Sequence, residues 1–247
     1  MGSRPAVGLP ATSRVAIAVL TIAIFPASGA RASERRLQGD PQAVTLIERM
    51  LEQFGGIDTW AAARTLHLEY RVWRTEPDEQ LSERAWRDLQ EPNQRIDLVS
   101  PSAPLTWVFG PASGWVARQT GVAVLSEKRR AEAVADWPFD FYTLIRAFAV
   151  ADQRLRLRFV APRRVLVSTA TGDDWGWWEI DSSGALIKWG VTFGDGPVEY
   201  VYGPIRKFDN IAFPAWGANV DGSWRFEYTK VELSTQPIPA ALLAQPR

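Results

Sequence analysis

At 247 residues the chain is long enough for one large domain or two small ones. It has no cysteine, so no disulfide holds it, and its 28 acidic and 28 basic residues give no electrostatic case for nucleic acid or an anionic membrane surface. One histidine and no cysteine are too few for the usual transition-metal site.

The first 32 residues read as a secretory signal peptide. Arg4 and Arg14 precede the apolar run Val15 to Phe25, and Ala30-Arg31-Ala32 supplies an A-x-A cleavage site. The run is shorter than the roughly 20 residues of a membrane span, so cleavage after Ala32 is expected over an uncleaved anchor. No cysteine stands at the cleavage site to carry a lipid, so the product is expected to be a soluble periplasmic protein. Losing Arg4, Arg14 and Arg31 leaves 25 basic residues against 28 acidic ones, a net charge of −3. Residues 33–39 read as a flexible leader and residues 40–247 as a single domain.

Asp40-Pro41 reads as an N-cap followed by a first-turn proline. Ala43, Ile47, Met50, Leu51 and Phe54 recur at helical spacing, which predicts a helix over 41–54 stopped by Gly55-Gly56. Asp58 is placed to cap a second short helix through Trp60. The period then changes from 3.6 to 2. Leu66, Leu68, Tyr70 and Val72 share one face of a strand, and His67, Glu69, Arg71 and Trp73 share the other. The facing favours a surface histidine beside Glu69 and Arg71 over a catalytic base. Its replacement by alanine is expected to shift stability by no more than about 0.5 kcal/mol.

Strands are predicted over 82–89, 95–99 and 105–109, the last with Leu105, Trp107 and Phe109 together, and another begins at Trp115. A helical interval follows through 125–150. Its first half is polar-rich, Pro138 starts or breaks the second half, and Phe141, Leu144, Ile145 and Phe148 make that half apolar. From Leu155 the alternation resumes in six segments separated by turn signals at 181–184, 193–197 and 221–223. Trp224, Phe226 and Tyr228 share a face, while Val231 and Leu233 have the opposite parity, so a bulge is expected near Lys230. Helix, strands, helices, strands is an α+β order, with helices gathered on one face of an antiparallel sheet.

The search for chemistry is mostly negative. There is no G-x-S-x-G and no EF-hand loop, and the G-D-G at 194–196 has no third glycine and no helix after it. Glu179 and Asp181, two apart on a strand and so on one side, could be the carboxylate pair of a secreted carbohydrate-acting hydrolase. Against that, Asp181 begins a turn, where aspartate is common. The 12 tryptophans could be a sugar-stacking platform, or wide side chains filling a curved sheet whose core leaves a pocket.

The layout resembles a family. A signal peptide leads to a helix ending in Gly-Gly, then a short Trp-containing helix, then the long strand R-T-L-H-L-E-Y-R-V-W. Central helices interrupt the sheet, and the tail carries W-R-F-E-Y. This is similar to the periplasmic lipoprotein-carrier superfamily, the LolA/LolB-like proteins and their uncharacterised secreted relatives. The resemblance implies a single antiparallel, strongly curved sheet, an unclosed β-barrel with helices over its concave face. It implies a non-catalytic carrier for a lipid, a lipoprotein acyl chain or another apolar ligand, with no cofactor and no metal. It also implies a monomer with an envelope protein as possible partner. An unclosed barrel cannot fill its interior with its own strands. Leu68, Tyr70, Val72, Leu105, Trp107, Phe109, Trp224, Phe226 and Tyr228 are therefore the expected cavity wall, with Phe141, Leu144 and Phe148 as its lid.

Overall fold

The computed structural model describes residues 36–75, 78–100, 103–193, 196–209 and 211–246. The expected signal segment and its cleavage site lie outside them. Two helices come first, α1 (Pro41–Gln53) and α2 (Ile57–Ala62). Six strands follow: β1 (Thr65–Thr75), β2 (Asp78–Asp88), β3 (Gln94–Val99), β4 (Leu105–Phe109), β5 (Gly114–Arg118) and β6 (Gly121–Val124). Then come α3 (Glu127–Asp136), a 3-10 turn (Trp137–Phe139) and α4 (Phe141–Ala149). The return half holds β7 (Leu155–Ala161), β8 (Arg164–Thr169), β9 (Asp174–Ile180), β10 (Leu186–Phe193) and β11 (Gly196–Tyr202). It continues with β12 (Ile205–Phe208), β13 (Ile211–Pro214), β14 (Trp216–Asn219), β15 (Trp224–Ser234) and α5 (Ala240–Leu243).

Among the described residues, 13 strands form one antiparallel curved sheet in the order β6-β5-β4-β3-β2-β1-β15-β14-β11-β10-β9-β8-β7. The sheet is not closed, since β6 and β7 are its edges. The α+β expectation of an open, curved antiparallel sheet is what the structure shows. Its centre is the pairing of the first strand with the last. Leu68 lies opposite Val231 and Tyr70 opposite Tyr228, so Thr229 is the extra residue of a bulge. That bulge moves the inward parity from Trp224, Phe226 and Tyr228 to Val231 and Leu233, as the alternation predicts.

On the inner face of the sheet, Leu66, Leu68, Tyr70 and Val72 belong to one buried apolar core together with residues of α1, α2 and α4. α1 turns Ala43, Ile47, Met50 and Leu51 fully inward. Trp60 of α2 is also fully buried, and its indole N–H donates to the Phe54 carbonyl. Two local expectations change. Asp40 is the N-cap residue of α1 with Pro41 after it, as expected, but its side chain makes no cap bond; its carboxylate accepts the Phe159 N–H at 2.8 Å, and its own N–H donates to the Leu157 carbonyl, which docks the helix start on β7. The N-cap of α2 is Gly56, and Asp58 lies inside the first turn.

The helical interval divides. α4 is buried along Phe141, Tyr142, Leu144, Ile145 and Phe148, whereas α3 buries nothing and so does not cover the sheet. The other face of the sheet is not bare. Residues after β15 cross it: the Thr65 hydroxyl donates to the Gln236 carbonyl, Arg95 to that of Leu242 and the Trp115 indole to that of Leu243. Strands β6, β12, β13 and β14 are additions to the expected set. β12 and β13 form a separate hairpin whose Ile211 and Phe213 are buried, Phe213 with its ring 5.0 Å from Phe54 and 5.3 Å from Tyr228.

Candidate functional site

Between the start of α4 and the inner face of the sheet lies a cavity of about 150 Å³. Five strands of the sheet and the start of one helix build it. β1 gives Tyr70, β2 gives Arg87, β10 and β11 give Trp189, Tyr200 and Tyr202, and β15 gives Trp224 and Phe226. Asp140, Phe141 and Tyr142 close it from the α4 end. Eight of these ten residues are aromatic, and their packing is ordered. Phe141 stacks on Trp178 at 4.9 Å and on Tyr202 at 5.2 Å, both at 14°. Trp189 stacks on Tyr200 at 5.6 Å and 18°. Phe226 lies across Gly217 of β14, where a Cβ would stand 2.3 Å from the ring. Only glycine lets the ring lie this close to the backbone.

The polar groups of the site are few and connected. Arg87 faces inward because it shares the parity of Ala85 and pairs with Leu66. Its Nη1 donates to Asp140 at 2.7 Å and to Gln94 at 3.0 Å, and its guanidinium sits 5.0 Å from the Tyr142 ring centroid. Burial is the largest influence and opposes the Arg87 charge, but Asp140, Tyr142, Tyr70 and Glu83 together outweigh it and hold the guanidinium firmly protonated. The second Asp140 oxygen accepts the Tyr142 N–H at 3.0 Å, which caps α4. The Tyr70 hydroxyl donates to Glu83, whose carboxyl burial pushes above its ordinary range. The Tyr142 and Tyr228 hydroxyls are 2.6 Å apart. Burial raises both phenols, together with Tyr70 and Tyr202, so all stay neutral donors at ordinary pH.

The twelve expected cavity residues fall into three groups. Tyr70, Phe141, Trp224 and Phe226 line the cavity. Leu68, Val72, Leu144, Phe148 and Tyr228 are packed solid behind it. Leu105, Trp107 and Phe109 do not reach it. β4 stands four places from β15 in the sheet, while the nine residues of α4 span only about 13 Å, less than three strand spacings. Arg87, Asp140, Tyr142, Trp189, Tyr200 and Tyr202 were not anticipated. The available signal was Glu83 and Arg87, two charges on the inward parity of β2.

The candidates for chemistry are dispersed. His67 lies on the outer face, its ring stacked on Trp86 at 4.7 Å and 5°. Its nitrogens stand 3.4 Å from Glu232 and 3.5 Å from Glu69. Glu179 is also on the outer face, beside Arg164 at 3.6 Å, while the preceding Trp178 is fully buried. Asp181 accepts the Ser183 N–H, the Ser183 hydroxyl and the Ala185 N–H of its own turn. Slight burial pushes the Asp181 carboxyl up, but these hydrogen bonds outweigh burial and hold it low. One carboxylate is ion-paired and the other is committed to a turn, so the two do not form an acid–base couple. Among the described residues no group of three or more His, Asp and Glu side chains could hold a metal. Among the same residues no helix is long and apolar enough to cross a membrane.

No family model and no curated protein sequence matches the chain. Solved structures of similar layout include a DUF1329 family protein from Desulfovibrio piger, with 8% identity and a TM-score of 0.41 over 82% of this chain and 97% of that one. A putative outer membrane lipoprotein-sorting protein domain from Vibrio parahaemolyticus matches with 8% identity and a TM-score of 0.38, over 81% of this chain and 96% of that one. MucB matches with 14% identity and a TM-score of 0.29, over 83% of this chain and 64% of its own. Likenesses this distant assign neither a ligand nor an activity to the chain.

Proposed function

We propose that the chain is a soluble, non-catalytic binding or carrier protein of the periplasm that takes the end of an acyl chain, or another apolar group, beneath α4. The observation that carries this reading is the aromatic cavity itself. Buried aromatic side chains ordinarily fill a core, yet here eight aromatic residues, most of them buried, surround about 150 Å³ of space. A cavity of that size holds a group about as large as benzene. The cavity therefore fits a ring or a short chain segment, and a longer chain enters by displacing the start of α4. An envelope protein that delivers or receives the ligand is part of the same reading, with the chain acting as a monomer.

Trp189 and Trp224 line the cavity, so ligand entry is read in tryptophan fluorescence. A series of saturated acyl methyl esters and free acids is titrated into the purified protein. Saturable quenching is expected, reduced at least tenfold by Trp224→Glu at the half-buried rim and unchanged by Trp107→Glu, which lies outside the cavity. Absence of saturable binding across the whole series would end the carrier reading and leave the cavity a packing defect.

A further inference from the structure

Two hydrogen-bond donors of the residues that line the cavity have no acceptor among the described residues. Trp189 is 4% exposed, and its indole N–H has no acceptor among the described residues. The Arg87 Nε–H is buried and is in the same position. Both residues line the same cavity. Nearby carboxylate oxygens already accept hydrogen bonds from other donors. One Asp140 oxygen accepts Arg87 and the other accepts the Tyr142 N–H, and Glu83 accepts the Tyr70 hydroxyl. Native proteins leave few buried donors unpaired, because each has lost its water without gaining a partner. Two such donors on one small cavity point to a guest that brings an oxygen acceptor.

Charge decides which acceptor. Arg87 and Asp140 neutralise one another across 2.7 Å. A guest carboxylate would add an uncompensated negative charge to an aromatic enclosure, at a large desolvation cost. A carbonyl oxygen accepts the same hydrogen bonds and adds no charge. We infer that the site selects an uncharged carbonyl group, an ester or amide, at the head of its apolar ligand and discriminates against the free acid of the same chain. This rests on the proposed apolar-ligand reading and specifies the ligand's head.

The test uses three probes of similar size at pH 7: methyl hexanoate, hexanoate and hexane. Methyl hexanoate is expected to bind at least tenfold more tightly than hexanoate. In Trp189→Phe, which keeps an aromatic wall and removes the N–H, the advantage of the ester over hexane is expected to fall several-fold. Asp140→Asn retains the helix cap and leaves Arg87 uncompensated, so hexanoate is expected to gain on the ester. Equal or tighter binding of hexanoate to the unaltered protein would overturn the inference without recourse to a variant. If hexane binds and the ester gains nothing over it, the head-group inference fails while the carrier reading stands. If none of the three binds, both fail.

Discussion

At the residue scale His67 shows how facing and environment differ. Alternation puts it on the outer face, where it is, but a side chain on that face is not necessarily free. The cross-strand partner of His67 is Trp86, and the two rings stack. A stacked aromatic pair contributes about 0.5–1.5 kcal/mol beyond the area it buries. His67→Ala is therefore expected to cost about 1 kcal/mol in a denaturant melt, more than an exposed position would, and a cost near zero would show that the stack carries no weight. Burial first, and then the Lys230 charge, push the His67 pKa below its ordinary value of 6.5. The unfolded chain thus binds its proton before the folded one does. The stability held by the neutral ring is complete above about pH 6.5 and is lost as pH falls toward the lower, folded pKa. The difference in stability between wild type and His67→Phe should narrow or reverse over that window, and a difference flat from pH 7.5 to 5 would contradict it.

At the scale of elements, the sequence was legible wherever one periodicity ran long enough. Eleven residues of β1 and thirteen of α1 announce themselves, and the change of parity in β15 located its bulge. Short pieces were not legible. β12, β13 and β14 have four residues each, too few for two full alternations to stand out. α3 and α4 were legible as a polar and an apolar half divided at Pro138, but it was not legible that the polar half leaves the sheet uncovered. Only the absence of apolar spacing in Glu127–Asp136 distinguishes the exposed helix from the buried one. The cavity was half legible. Its apolar wall follows from alternation, but which strand lies beside β15 depends on register and order, and no local pattern encodes those. The contact between β14 and β15 offers a test of that wall. Gly217→Ala places a methyl where the Phe226 ring now lies, at a cost of about 1–3 kcal/mol. Because Phe226 lines the cavity, acyl-probe binding is expected to weaken alongside the melting temperature. Unchanged binding in a destabilised Gly217→Ala protein would detach this wall from the site.

At the scale of the whole molecule, the order of helices and strands gave the α+β class, whereas the cover on the outer face was invisible. The segment after β15 holds few residues with any periodicity, and it is fixed by single hydrogen bonds from Thr65, Arg95 and Trp115 and by the burial of Ile238. Removing residues 235–247 should cost on the order of 4 kcal/mol, summed from three hydrogen bonds and one buried isoleucine. A chemical melt that barely moves would show the segment to be passive. The pairing of β1 with β15 has a further consequence, in time rather than in space. β1 is made about 160 residues before its central partner, and antiparallel contacts of such long sequence separation form slowly. Throughout synthesis, the apolar strand Leu66-Leu68-Tyr70-Val72 has one edge waiting, its N–H and C=O groups open to whatever strand arrives first. Until β15 emerges, the nascent chain therefore needs something to occupy that edge, and the sheet reaches its final form only when β15 fills the place.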